Sequence, residues 1–578
     1  MKKSLGLALS VAVMAGCSKS NDTALIAEKI PAPLPSADVL AARCSDIAQT
    51  MQGAWPDATT RITNAVWHAE PYTQPAAGRN PAIDFPAHCE ISGSLQQREG
   101  YAGEQYAINF QVRMPADWNG RFLFQGGGGT NGVVRDAVGF MGSEQPNALM
   151  RGFAVVSQDS GHDNSVNNNP AYNGTLTFAF DPQALSNYSY TSLKPVADTA
   201  KAVVGKYFDA PIQYSYFYGC SKGGHEGMQF VQRYPEAFDG VIAKAPAFSL
   251  PRAALAELHD NQQFTKMSGA DQVSLDALRS AMSDAQLASV ADAILEACDA
   301  DDGVADGMVL KYGSCTTERV LPTLQAKVCD DGEGCLNQAQ VDGLAAVMSG
   351  PKTAEGEPVY TDWAWDPGIA SPGWRTWKLG SADGRVPALN IVLGGVSYGS
   401  MMRPEPMVFG PESYDLNQFL TEYDISTQYV DVYNVRAGIN TSTWDLFSAR
   451  SPDISAFKAA GGKLMMPHGV SDPVFSVNDG AEWYDEMNQV TGDAEDFVRV
   501  YPIPGMAHCA GGPATEQFDA LSAMQAWVEQ GEAPVALIAT ASEQTPWPGR
   551  SRPICPYPST PQYDGSGDVE SAASFSCR

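Results

Sequence analysis

The sequence predicts an α/β chain: a mostly parallel sheet flanked by helices and interrupted by a long inserted segment. Three observations predict it. Between residues 105 and 250, short runs of β-branched and aromatic residues alternate with helix-like stretches, the rhythm of strand–helix–strand units. The rhythm breaks after Ala247 and resumes at Lys463-Leu-Met-Met466. Gly219-Cys220-Ser221-Lys222-Gly223 stands where a strand gives way to a helix, a turn tight enough to push the serine out of the sheet.

The elements follow in order. Lys2 and Lys3 precede an apolar stretch, Leu5 to Ala15. It is too short for a membrane span and reads as a leader. Met14-Ala15-Gly16-Cys17 resembles a lipoprotein cleavage box, with Cys17 as the lipidated first mature residue; ordinary secretory cleavage nearby is the alternative. Residues 1–17 are thus a signal segment and 18–35 a tether. Residues 36–250 and 451–578 form the catalytic unit, and 251–450, rich in Gly, Pro, Trp and Asp after a helical start, form a lid. Strands are expected at 106–112, 121–125, 153–156, 214–218, 240–243, 463–466 and 497–500, with a helix over 191–207. Glu226, Met228, Phe230, Val231 and Tyr234 mark a second helix that stops at Pro235.

The net charge of −29 argues against nucleic-acid binding, which needs a basic footprint. Eleven cysteines occur. Without Cys17 an even number remains, which in an exported chain reads as a disulfide framework. Short separations favour Cys298–Cys315, Cys329–Cys335 and Cys555–Cys577, Cys44–Cys89 would pin the N-terminal segment, and Cys220 is left with Cys509. Sequence alone does not fix this pairing.

The serine turn fits a G-x-S-x-G nucleophile elbow, so the fold is expected to be an α/β-hydrolase core with a large inserted lid domain. In that fold the chain order is nucleophile, acid, histidine. The chain has seven histidines. His508, in the loop Pro504-Gly-Met-Ala-His-Cys509 after an expected strand, stands where the base belongs, whereas His225 on the elbow helix should point away. Asp472, on the loop after Leu464-Met-Met-Pro-His468, stands where the acid belongs. His508 would take the Ser221 proton and Asp472 would fix the imidazole tautomer. The Lys222 N–H supplies one oxyanion donor. The glycine run Gly126–Gly129, after a strand, supplies the second, with Gly129 chosen and Gly128 close behind. A Cys220–Cys509 bridge would hold nucleophile and base in register.

Residues 299–309 read Asp-Ala-Asp-Asp-Gly-Val-Ala-Asp-Gly-Met-Val. Clustered carboxylates separated by glycines suit a hard cation. Asp299, Asp302 and Asp306 could offer side-chain oxygens and Val304 and Met308 carbonyls to a structural Ca2+. The spacing is not that of an EF-hand. No organic cofactor is expected.

Cys220-Ser221, Asp472 and His508-Cys509 together resemble the tannase and feruloyl esterase family. The likeness extends to the QGGGGTNG loop, Gly161-His-Asp-Asn164, Trp363-Ala-Trp-Asp366, Gly373-Trp-Arg-Thr-Trp377 and Cys555-Pro-Tyr-Pro558. It is greatest to bacterial members that act on terephthalate monoesters. The resemblance implies an exported serine esterase, monomeric, in the periplasm, secreted or lipid-anchored to the outer membrane. It implies that Arg385 pairs with a free substrate carboxylate and that Trp377, Leu250 and Phe475 line a ring pocket. It makes mono(2-hydroxyethyl) terephthalate, cleaved to terephthalate and ethylene glycol, the expected substrate. Leu389 stands where the family member has Phe, Lys378 and Gly384 replace bulkier residues, and the loop before Arg385 is shorter. These departures lie in the lid, where specificity is set, and leave ester hydrolysis intact. A feruloyl esterase or tannase acting on plant phenolic esters is the alternative. A calcium-binding surface lipoprotein without activity is the remote one.

Overall fold

The computed structural model describes residues 34–76, 82–139 and 146–578. The expected leader, Cys17 and nearly all of the tether lie outside the described residues. At the centre is a nine-stranded sheet. Its strands are β1 (Arg61–His68), β2 (His88–Glu99), β3 (Gln105–Pro115), β4 (Arg121–Gln125), β5 (Ala154–Gln158), β6 (Tyr214–Cys220), β7 (Gly240–Lys244), β8 (Lys463–Gly469) and β9 (Val498–Ile503). Across the sheet they run β1-β2-β3-β5-β4-β6-β7-β8-β9. From β5 to β9 every neighbouring pair is parallel, while β1, β2, β3 and β5 pair antiparallel.

Parallel strands must bury both faces, and these do. Phe124, Phe217, Val241, Met466 and Val500 pack into one hydrophobic cluster. Their immediate neighbours Leu123, Tyr216, Ile242, Met465 and Tyr501 pack into another on the opposite face, as a period of two dictates. The helices Leu193–Phe208 and Lys222–Arg233 flank β6 in sequence.

Between Lys244 and Lys463 the chain leaves the sheet and forms a helical excursion that starts with Leu250–Ser268. That helix ends at Gly269, whose φ of +72° makes the left-handed C-cap. Leu255, Phe264, Leu344, Trp365 and Leu446 of the excursion share one apolar cluster with Phe178, Tyr188, Val470 and Phe475 around the sheet's carboxyl end. Five disulfides are present among the described residues: Cys44–Cys89, Cys220–Cys509, Cys298–Cys315, Cys329–Cys335 and Cys555–Cys577.

Candidate active site

Loops after the carboxyl ends of β4, β6, β8 and β9 converge above the sheet, where open α/β sheets place their ligand sites. Ser221 caps the helix Lys222–Arg233 with φ 63° and ψ −121°. Such a conformation costs a non-glycine residue about 1–3 kcal/mol. Fixed contacts hold it: the Ser221 N–H donates to the Lys244 carbonyl (3.0 Å) and its carbonyl accepts from the His225 N–H (2.9 Å). The glycines are steric necessities, since a Cβ on Gly219 would lie 2.5 Å from the Gly223 carbonyl carbon.

His508 Nδ1 donates to Asp472 Oδ2 at 2.8 Å. Asp472 is buried, and its other oxygen accepts from the Val474 and Phe475 N–H groups at 2.8 and 3.1 Å. Burial alone would push this carboxyl up. The charge of His508 and the hydrogen bonds from His468 and His508 outweigh it and hold the carboxyl well below the usual range. His468, not anticipated in this role, sits 3.4 Å from Asp472 Oδ2 and donates to the Phe475 carbonyl at 2.9 Å. With Nδ1 carrying the proton, His508 Nε2 presents a lone pair, and it has no hydrogen-bond partner. Its bond to the Ser221 hydroxyl is not formed; such contacts commonly tighten only around substrate. The His508 ring lies edge-to-face between Trp377 (5.4 Å) and Phe475 (5.5 Å). As expected, His225 points away, bonded to the Phe447 carbonyl at 2.7 Å.

The glycine loop is organised by Glu226, which the sequence marks only as part of the helix after the elbow. Its buried carboxylate accepts from the Gly127 N–H (2.9 Å), Asn131 Nδ2 (3.0 Å), Ser160 Oγ (3.1 Å) and Lys222 Nζ (2.7 Å). One side chain thus ties the loop after β4 to the elbow. Tyr188 donates to the Gly129 carbonyl at 3.1 Å. Asp366 plays the same part for the other half of the site. It accepts from the Gly505 N–H (3.0 Å), in the loop that carries His508, and from Ser471, beside Asp472.

A cavity is lined by Ser221, Lys222, Gly129, Leu250, Trp377 and Phe475, with Glu257 and Ser397 as further polar side chains. Those sequence-predicted residues therefore meet at one place. Arg385 does not join them. Its side chain is 86% exposed and pairs with Asp383 at 3.1 Å, because the turn at Ser381–Val386 faces it outward. Leu389 is half-buried at the N-cap of the following helical segment and is not among the lining residues. The expected carboxylate clamp is not assembled in this structure: among the described residues no Arg lines this cavity. Lys378 is buried and paired with Asp260, its ammonium 4.0 Å from the Trp363 ring centre.

The acidic residues of 299–308 lie on a loop braced by its own backbone and by Arg552. Asp299 accepts from the Asp306 and Gly307 N–H groups, and Asp306 pairs with Arg552. Asp302 Oδ2 is buried without a partner, the kind of orphaned oxygen that a hard cation satisfies. A different cluster, His68, His88 and Glu90, brings ligand atoms within 4.8 Å of one another. There Arg113 already donates twice to Glu90, at 3.0 and 2.8 Å.

The tannase and feruloyl esterase family matches residues 89–578. A mono(2-hydroxyethyl) terephthalate hydrolase from Piscinibacter sakaiensis is 37% identical over 557 residues, covering 90% of this chain and 89% of its own. An uncharacterized esterase from Xanthomonas campestris pv. campestris is 31% identical, covering 85% and 84%. The crystal structure of feruloyl esterase B from Aspergillus oryzae is similar with a TM-score of 0.70 at 22% identity, covering 93% and 100%, a likeness of fold.

Proposed function

The chain belongs to the tannase and feruloyl esterase family of carboxylic ester hydrolases, and from that premise we propose that it cleaves aromatic esters through an acyl-enzyme on Ser221. The observation that carries this reading is the His508–Asp472 pair beside a cavity that holds Ser221 and two aromatic walls. Ser221 Oγ attacks the ester carbonyl while His508 Nε2 takes its proton. The negative charge that develops on the carbonyl oxygen meets two N–H donors, Lys222 at the helix N-terminus and Gly129. His508 returns the proton to the departing alcohol, then activates a water that releases the acid. Asp472 holds the imidazole with Nδ1 protonated throughout.

The acyl group is aromatic because Trp377 and Phe475 flank the cavity and Leu250 adds an apolar wall. The terephthalate monoester is the substrate that the Piscinibacter relative's name suggests. Feruloyl esters are what several fungal relatives' names suggest. The outward Arg385 and the acid in the cavity wall favour an uncharged acyl group. We assign Asp299, Asp302, Asp306 and the Val304 and Met308 carbonyls to a structural Ca2+, which would neutralise the crowded carboxylates and take no part in ester chemistry. The disulfides support an oxidising compartment outside the cytoplasm.

The test is a panel of mono(2-hydroxyethyl) terephthalate, methyl ferulate, propyl gallate and methyl benzoate with wild type and Ser221→Ala. Turnover of at least one ester by wild type, with loss of about 10³-fold or more in Ser221→Ala, is expected. Equal rates for the two proteins on every ester would refute the reading.

A further inference from the structure

Glu257 stands in an unusual place. It lies on the helix Leu250–Ser268, and the spacing 250, 254, 257 puts Leu250, Ala254 and Glu257 on one helical face. All three line the cavity that holds Ser221. Glu257 is 5% exposed, yet among the described residues no hydrogen bond or ion pair reaches its carboxyl. Its carboxyl faces only the cavity, where a bound group can supply the partner the protein does not. The helix packed opposite makes room for it: a Cβ on Gly394, another lining residue, would overlap Glu257 Oε2. The acid is thus fitted against a glycine, with its polar tip at the cavity and no hydrogen-bond partner for it among the described residues.

The charges around it do not supply a partner. Lys378, from the helix Pro372–Lys378, is committed to Asp260, one turn along from Glu257. Lys222, the other cation at the cavity, is held by Glu226. Asp260 and Asp472 add negative potential from the same helix and from the acid loop. Burial first, with these two acids behind it and Lys378 opposing, pushes the Glu257 carboxyl up to about 8. At neutral pH it is an acid with one O–H donor and acceptor capacity to spare.

We propose that Glu257 is a specificity-determining residue, whose carboxyl forms the polar end of the acyl pocket and selects rings bearing an uncharged hydrogen-bonding group, such as a phenolic hydroxyl, over rings bearing a carboxylate. This rests on the esterase reading above. A phenol both gives and takes a hydrogen bond here. A substrate carboxylate could accept one bond from the acid but would bring an unpaired charge against a wall with no uncommitted cation, where desolvation is not repaid.

The experiment compares kcat/KM on methyl 4-hydroxybenzoate, monomethyl terephthalate and methyl benzoate, in wild type, Glu257→Gln and Glu257→Leu. Ratios between substrates are compared across variants, so the intrinsic reactivity of each ester cancels. The hydroxyl-to-unsubstituted ratio should fall about tenfold in Glu257→Leu, the equivalent of one buried hydrogen bond. Glu257→Gln, which keeps a neutral donor and acceptor, should retain it. Discrimination against monomethyl terephthalate should sharpen in wild type as pH rises through the Glu257 titration and stay flat in Glu257→Gln, a difference that a merely structural role would not produce. If wild type cleaves methyl benzoate but both variants keep wild-type ratios, the assignment of Glu257 is overturned and the esterase reading survives. If wild type cleaves none of the three esters, the assignment of Glu257 falls, and the esterase reading falls with it only if the wider panel above also shows no Ser221-dependent turnover.

Discussion

Asp472 shows how a carboxylate can stay ionised with almost no contact with water. Two backbone N–H groups, His508 and His468 surround it, and together they outweigh its burial. The sign of its linkage follows. A carboxyl whose folded pKa is depressed contributes stability that is complete above the unfolded value, near 3.9, and is lost as pH falls through the lower folded value. Asp472→Asn should therefore lower kcat by about 10⁴, through the wrong imidazole tautomer, with little change in far-UV circular dichroism. Its deficit in Tm relative to wild type should stay constant from pH 7 down to about 4 and shrink only below that. A deficit that vanishes already at pH 5 would mean that Asp472 is not the charged partner described.

At the scale of elements, the site is an assembly of loops that follow four different strands, and two devices keep them in register. Glu226 joins the loop after β4 to the elbow. The Cys220–Cys509 bridge joins the elbow to the His508 loop across 289 residues of chain, with its Cα atoms 6.1 Å apart, spanning the strands β7 and β8 that separate β6 from β9. Cys220→Ala with Cys509→Ala should cut kcat/KM far more than Cys329→Ala with Cys335→Ala, whose bridge closes a surface loop of separation 6. Equal losses in both double variants, read beside their Tm values, would remove any special role for the catalytic bridge. The parallel strands and the elbow were legible because their patterns are local: Tyr214–Tyr218 alternates, and Gly219 and Gly223 punctuate. β1 was not, since its residues alternate between exposed and half-buried without a clear apolar face. Glu226 and Glu257 were missed for a related reason. A glutamate in a helical pattern looks like a solvated face until the elements that bury it are known. Arg385 is the opposite case: it faces outward here, because a loop position does not fix where a long side chain points.

At the scale of the whole molecule, the acidic loop 299–308 is a joint between the excursion and the C-terminal segment. Arg550 donates to the Asp306 carbonyl at 2.6 Å and Arg552 pairs with its carboxylate. Met308 and Leu310 pack with Phe575, in the tail that Cys555–Cys577 closes. The excursion also shares its apolar core with the segments that carry Phe475 and Tyr188, so slack at the joint would be felt as lost stability before it reached Ser221. A cation bound only by the folded state adds about 2.7 kcal/mol at a hundred times its Kd. Chelation should therefore lower Tm by a few degrees, reversibly on adding Ca2+, while kcat measured well below Tm stays within about twofold of the untreated enzyme. Mg2+ should restore less, because it demands an octahedral geometry that carbonyls and carboxylates on one short loop meet poorly. Asp302→Asn removes the orphaned oxygen's charge, so it should reproduce the lowered Tm and abolish the response to chelator. If instead the Tm of wild type is the same in EDTA and in Ca2+, the two arginines alone hold the joint, and the loop is a protein–protein contact within the chain with no cation in it.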